Sequence, residues 1–189
     1  MKRVFIIHGW GGNPDEPMLK WLRKSLETKG YEVIAPFMPN PNVPTISAWV
    51  NHIVEVIKNP DEDTVLIGHS VGCQAILRYL QIRSKEEKVD KVILIAPWII
   101  PSEDIEEDED PEIARPWMEI PIDFENAKKH AKSFYGVFSD DDYSVPLIEN
   151  GNLLKEKLGA KTIVLENKGH FTEGDGVVEL PEVLKIINS

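Results

Sequence analysis

The sequence has little cysteine and no long apolar run. Its single cysteine, Cys73, cannot form an intramolecular disulfide, which favours a reducing compartment, and we expect a cytoplasmic protein. No window approaches the roughly 18 consecutive apolar residues that a transmembrane helix needs, so no membrane association is expected. The apolar stretch near the start ends at His8, which is too short for the hydrophobic segment of a secretory signal.

Basic residues are also scarce. The chain has 21 Lys and Arg against 32 Asp and Glu, a formal net charge of −11, so it is poorly suited to neutralise nucleic-acid phosphates. Much of the excess negative charge lies in residues 103–112, which contain eight acidic residues and no basic one. This run lacks the glycine and the closing glutamate of an EF-hand loop, so we predict a solvated loop and no metal site.

Short β-branched runs alternate with longer amphipathic stretches along the 189 residues, with no internal repeat. This pattern predicts a single α/β domain over residues 1–189, with a mostly parallel sheet of about six strands and helices on both faces. The predicted strands are residues 3–7, 32–35, 64–67, 91–96, 133–138 and 162–165. The predicted helices include one from residue 123 to 132 and one from 181 to 187. Residues 97–121 lose periodicity, which predicts an irregular, lid-like acidic insertion.

Residues 64–75 read as a strand, a G-x-S-x-G turn and a helix. In this context Ser70 is predicted to be a nucleophile, because Gly68 and Gly72 allow the sharp turn that raises its hydroxyl above the sheet. The same turn directs a helix N-terminus at developing negative charge. The alternative interpretation of Ser70 is an ordinary helix cap.

A serine hydroxyl needs a base, and His170 follows the last predicted strand, where a Ser…Asp…His chain order places one. His52 and His130 fall inside predicted helices, and His69 is interpreted as a packing residue beside the serine. The alternative for His170 is a loop histidine with no catalytic role.

The acid of the triad should follow the preceding strand, where the chain offers Asp140, Asp141 and Asp142. Asp142 is favoured because it begins a D-x-x-V-P sequence, a frequent acid-loop pattern in α/β-hydrolases. Asp141 stays open as the alternative, since a shift of one residue redirects the side chain. The remaining acids would then be solvated or would flank a helix.

The loop after the first strand reads His-Gly-Trp-Gly-Gly over residues 8–12. Its glycines allow the backbone to approach a ligand closely, so the amides of Trp10 and Val71 are predicted to form an oxyanion hole. A simple flexible turn is the alternative. Together these residues predict acyl transfer, in which Ser70 attacks a carbonyl, His170 moves the proton and water deacylates the enzyme.

These motifs resemble the small single-domain serine hydrolases related to retinoblastoma-binding protein 9. The shared features are residues 8–12, residues 67–72, the D-x-x-V-P loop, Gly-His-Phe at 169–171 and Glu-Gly-Asp-Gly at 173–176. The resemblance implies an α/β-hydrolase core trimmed at its N-terminus and a triad of Ser70, Asp142 and His170. It also implies esterase-like activity without a cofactor.

The leading hypothesis is a hydrolase of small-molecule carboxylic esters with small to medium acyl groups, acting as a monomer or small homo-oligomer. Trp98 and Trp117 could line a substrate pocket, although plain packing is the alternative for both. An amidase or peptidase would use the same triad. A non-catalytic binding protein on a hydrolase fold is the alternative from another class, and the complete triad disfavours it.

Overall fold

The computed structural model describes residues 2–84, 86–102 and 110–189. The strands in these ranges are β1 (Arg3–Ile7), β2 (Glu32–Ile34), β3 (Thr64–His69), β4 (Val89–Ile95), β5 (Ala131–Ser139) and β6 (Lys161–Leu165). The helices are α1 (Pro17–Glu27), α2 (Ile46–Val56), α3 (Val71–Gln81), α4 (Pro111–Glu119), α5 (Phe124–Lys129), α6 (Leu147–Leu158) and α7 (Pro181–Ile187). None of the helices in the described ranges combines the length and the apolar character required to cross a bilayer.

The strands form one sheet in the order β2-β1-β3-β4-β5-β6, and every neighbouring pair is parallel. This confirms the predicted mostly parallel sheet of about six strands. The chain first runs outward from β1 to β2 and then returns to place β3 on the other side of β1. Parallel sheets bind ligands beyond the carboxyl ends of strands at such a reversal of order, which here is the crevice between β1 and β3.

Helices cover both faces of the sheet, as the alternation of elements predicted. On one face α1 and α7 pack against alternate residues of the central strands, with Leu19, Leu22 and Leu26 of α1 fully buried. The other face is covered by α2, α3, α5 and α6, together with the tryptophans of α2 and α4. Burial on both faces explains why β3 reads as a continuous apolar run rather than an alternating one.

Residues 111–119 are helical, so the prediction of an irregular segment over residues 97–121 is wrong there. Tertiary contacts hold this helix in place despite the internal Pro116. The buried guanidinium of Arg78 donates hydrogen bonds to the carbonyl oxygens of Trp117 (3.1 Å) and Ile120 (2.6 Å) at its C-terminal end. Residues 103–109, most of the predicted acidic loop, lie outside the described residues.

The helix predicted from residue 123 to 132 ends earlier, at Lys129. Its predicted cap is present, because the Asp123 side chain accepts a hydrogen bond from the amide of Asn126 at 2.9 Å. The chain then enters β5 at Ala131, which pairs with Val89 of β4. Strand pairing therefore overrides the local helical pattern at residues 131 and 132.

Candidate active site

Ser70 occupies a sharp turn between β3 and α3, with backbone angles of φ 53° and ψ −126°. The flanking glycines make this turn sterically possible. A Cβ at Gly68 would lie 2.8 Å from the backbone nitrogen of Cys73, and one at Gly72 would lie 2.5 Å from the carbonyl oxygen of His8. The turn thus has the close backbone approach that the G-x-S-x-G pattern predicted, and it holds the serine side chain at the carboxyl end of β3.

Three side chains from three separate loops meet at this point. The Nε2 atom of His170 lies 3.0 Å from the Ser70 hydroxyl oxygen. Its Nδ1 atom lies 3.0 and 3.1 Å from the two carboxylate oxygens of Asp142. A proton on Nδ1 would satisfy the carboxylate and leave Nε2 free to accept the serine proton, which is the arrangement of a serine nucleophile with its base.

The structure brings Asp142, and not Asp141, to the imidazole. The Asp142 side chain is 2% exposed. Its Oδ1 atom also accepts hydrogen bonds from the amides of Ser144 (2.8 Å) and Val145 (3.0 Å), which fix the carboxylate in place. Asp141 is exposed and accepts a hydrogen bond from the amide of Gly169 at 2.8 Å.

The loop that carries His170, which we call the histidine loop (residues 166–176), has strained backbone. Asn167 and Phe171 have φ angles of 53° and 61°, a left-handed conformation that residues with a Cβ rarely adopt. Such conformations persist only where surrounding contacts impose them. Asp140 accepts a hydrogen bond from the amide of Asn167 (2.8 Å), and Asp141 accepts the one from Gly169. Both acids therefore anchor the histidine loop, a role that sequence reasoning missed.

Asp175 anchors the same loop from within. One of its carboxylate oxygens accepts hydrogen bonds from the amides of His170 (3.0 Å) and Thr172 (3.0 Å) and from the Thr172 hydroxyl (2.7 Å). A Cβ at Gly169 would lie 2.4 Å from this carboxylate, so glycine leaves the space that the anchor occupies. The only sequence signal for Asp175 was its place in the motif at residues 173–176.

His69 is more than a packing residue. Its Nε2 atom lies 2.8 Å from the carbonyl oxygen of His170. Because a carbonyl can only accept, Nε2 carries the proton. Burial, followed by the nearby charge of His170, lowers the pKa of His69 to about 4, so this side chain is neutral at neutral pH. His69 thus holds the backbone of the histidine loop against the nucleophile turn.

The loop after β1 closes over the nucleophile. A Cβ at Gly9 would lie 3.0 Å from the Cβ of Ser70, so the two backbones approach closely. The loop is braced by buried His8, whose Nε2 accepts the amide of Met38 at 2.9 Å and whose Nδ1 lies 2.8 Å from the Gly9 carbonyl oxygen. Burial lowers the pKa of His8, which keeps this imidazole neutral as its hydrogen bonds require.

A cavity of about 300 Å³ opens beside Ser70. It is lined by the loop after β1, the start of α1, His69, Ser70 and residues 170–174 of the histidine loop. Trp10, one of the two predicted oxyanion-hole residues, is part of the lining. Val71 is the first residue of α3, where amides have no acceptor within the helix.

The prediction that Trp98 and Trp117 line the substrate pocket is not supported, because neither contributes to this cavity in the part of the chain that the structure describes. Trp98 is buried and packs edge-on against Trp10, with ring centroids 6.3 Å apart. Trp117 packs against Trp49 and donates its indole N–H to the carbonyl oxygen of Pro44 at 3.0 Å. Both tryptophans belong to the core on the face of the sheet that α2, α3, α5 and α6 cover.

Comparisons with known proteins agree with the geometry of the site. A sequence model described as serine hydrolase matches residues 4–189. A protein of Bacillus subtilis (strain 168), described as the hydrolase YdeN, is 27% identical over 190 residues, covering 100% of this chain and 95% of the relative. Serine hydrolase RBBP9 of Rattus norvegicus is 28% identical over 183 residues, covering 96% of this chain and 86% of the relative.

Solved structures share the fold. The crystal structure of the B. subtilis ydeN gene product superposes with a TM-score of 0.90 at 26% identity, over 100% of this chain and 97% of that one. Est1E from Butyrivibrio proteoclasticus has a TM-score of 0.72 at 15% identity, over 100% of this chain and 89% of that one, which speaks for the fold alone. The α/β-hydrolase fold that the sequence predicted is thereby confirmed. With the match over residues 4–189, the chain belongs to the serine hydrolase family.

Proposed function

We propose that this serine hydrolase cleaves carboxylic esters of small to medium acyl groups through an acyl-enzyme on Ser70. The observation that carries the proposal is the continuous hydrogen-bonded chain from Ser70 to His170 to Asp142, with contacts of 3.0 to 3.1 Å. The cavity beside it, about 300 Å³, is at the small end of ligand sites, which favours a small-molecule ester.

The proposed reaction has two halves. The Ser70 oxygen attacks the ester carbonyl carbon while His170 Nε2 takes the hydroxyl proton, and the tetrahedral oxyanion accepts hydrogen bonds from the amides of Trp10 and Val71. The carbon–oxygen bond to the alcohol then breaks, and the alcohol leaves with the proton from His170. Water, activated by His170, attacks the acyl-enzyme and releases the acid and Ser70.

Each part of the site has a role in this scheme. Asp142 fixes the imidazole tautomer and stabilises the imidazolium that forms during each proton transfer. The amides of Ser144 and Val145 hold Asp142, so the carboxylate does not need to reorganise during the reaction. The histidine loop keeps Nε2 within reach of the serine oxygen.

The test is hydrolysis of matched p-nitrophenyl esters and p-nitroanilides by wild type and Ser70→Ala. We expect ester turnover in the wild type and a loss of about a thousandfold or more in the variant. Ser47→Ala, at an exposed position on α2, is the matched control and should keep full activity. Faster cleavage of the anilide would indicate an amidase, and undiminished activity of Ser70→Ala would overturn the proposal.

A further inference from the structure

A carboxylate lies in the same cavity as the nucleophile. Glu16 immediately precedes α1, and its side chain contributes to the cavity wall together with Ser70 and His170. Its Oε1 atom accepts a hydrogen bond from the amide of Asn13 at 3.2 Å. A Cβ at Gly12 would lie 2.4 Å from this oxygen, so the glycine leaves the space that the carboxylate occupies.

The charge of Glu16 is only partly compensated by its surroundings. In the described ranges no Lys, Arg or His side chain forms an ion pair with it within 4.0 Å. Among the described residues, the cavity lining contains a second acid, Glu173, and no lysine or arginine. Burial raises the pKa of Glu16 by more than the Asn13 amide and the charge of His170 lower it, so the negative charge of Glu16 is incompletely stabilised where it stands. A cation bound in the cavity would relieve that cost, whereas a second anion would increase it.

Trp10 also lines the cavity with Glu16. Its indole N–H donates a hydrogen bond to the carbonyl oxygen of Asn42 at 3.2 Å and its ring packs edge-on against Trp98, so the charged complement that the cavity offers a substrate comes from the carboxylate of Glu16. A cationic group on a small substrate matches that carboxylate, whereas a second carboxylate would be repelled by it.

We propose that Glu16 is a specificity-determining residue that selects esters carrying an ammonium group on the acyl part and disfavours esters carrying a carboxylate. The proposal rests on the proposed esterase function, because Glu16 acts on the substrate that Ser70 attacks. The substrate class is a cationic or neutral small ester, with the cationic ester favoured.

The test compares three p-nitrophenyl esters of similar length. One has a trimethylammonio-pentanoyl group, the second has the neutral tert-butyl isostere of that group, and the third is the monoester of adipic acid. For wild type we expect kcat/KM to be highest for the cationic ester and lowest for the anionic one. Glu16→Gln should reduce the cationic-to-neutral ratio about five- to tenfold, as expected for a partly screened charge pair. The ratio is the readout because any effect of Glu16 on His170 changes the rates for both esters alike and cancels in it.

Glu27→Gln is the matched control, because Glu27 is exposed at the far end of α1 and the substitution changes the net charge equally. Glu27→Gln should leave the ratios of kcat/KM among the three esters at their wild-type values. An unchanged ratio in Glu16→Gln, or an anionic ester cleaved as fast as the cationic one by wild type, would overturn the charge selection while the esterase function stood. Failure of wild type to cleave even the neutral ester would overturn both.

Discussion

Replacing Gly72 by alanine should lower the free energy of unfolding, because the backbone at the end of β1 lies too close to leave room for a Cβ. The new Cβ would stand 2.5 Å from the carbonyl oxygen of His8 and 2.6 Å from that of Ile7. Ordinary contact begins at 3.4 Å, so the first turn of α3 and the end of β1 must separate by about 0.9 Å. Both obstructing atoms belong to backbone, so no flexible side chain can move aside. Overpacking of this kind costs about 1–3 kcal/mol.

Gly151→Ala is the matched control, because Gly151 also lies inside a helix, α6, and a Cβ there meets nothing within 4 Å. Alanine is favoured over glycine in a helix by about 1 kcal/mol at either position, so the difference between the two variants isolates the steric cost of about 1–3 kcal/mol. This difference in unfolding free energy is measured by urea denaturation followed by circular dichroism. It is obtained from the denaturation midpoints of the two variants when both unfold with the same m value.

The same substitution should lower ester turnover, because the displaced turn carries the Val71 amide and the Ser70 backbone. Gly151→Ala should keep wild-type kcat/KM. Equal unfolding midpoints for Gly72→Ala and Gly151→Ala would refute the steric account of the nucleophile turn.

Three further predictions concern the supports of the site. Asp142→Asn should lower kcat for a p-nitrophenyl ester by about a thousandfold or more. Asp141→Asn, which loosens only the histidine loop, should lower kcat by about tenfold or less. Equal losses in the two variants would contradict the assignment of Asp142 as the acid. His69 binds its proton only near pH 4 when folded but near 6.5 when unfolded, so the wild type should lose up to about 1.4 kcal/mol of unfolding free energy per pH unit as the pH falls through that window. His69→Gln should lack this part of the pH dependence in urea titrations, and an identical slope in both proteins would speak against a buried neutral His69. Arg78→Met should cost about 1.5–3 kcal/mol, because it leaves the carbonyl oxygens of Trp117 and Ile120 without their donor. Hydrogen exchange should then speed up in α4 and not in α6, and unchanged protection of α4 would contradict its tethering by Arg78.

The parts of the fold that follow from local chemistry were predictable. Strand β3 is a continuous apolar run because it is covered on both faces of the sheet. Gly68 is required by the backbone of Cys73, within the same turn, so its place in the G-x-S-x-G pattern follows from local sterics. The place of His170 after the last strand followed from chain order. These inferences needed only the sequence period and the sterics of a tight turn.

The parts that depend on long-range contacts were not predictable. Helix α4 contains Pro116 and is held by Arg78, which is 39 residues from Trp117 in the chain. The D-x-x-V-P sequence favoured Asp142 but left Asp141 open as the alternative, because the contacts that distinguish them are made to a loop 28 residues further on.

Glu16 gave no signal in the sequence, because its place in the cavity depends on the packing of the loop after β1 against the histidine loop. The pocket-lining role predicted for Trp98 and Trp117 is not supported for a related reason. The sequence shows that tryptophans are present, but whether they face a cavity or the core depends on tertiary packing, here of Trp98 against Trp10 and of Trp117 against Trp49.

The most direct test of the account is to identify the residue that reacts with a fluorophosphonate. Wild type is treated with the reagent, digested and examined by mass spectrometry, beside Ser70→Ala and the Ser47→Ala control. We expect one adduct, on Ser70, in the wild type and in the control, and none in Ser70→Ala. An adduct on another residue, or labelling that persists in Ser70→Ala, would contradict the claim that Ser70 is the nucleophile.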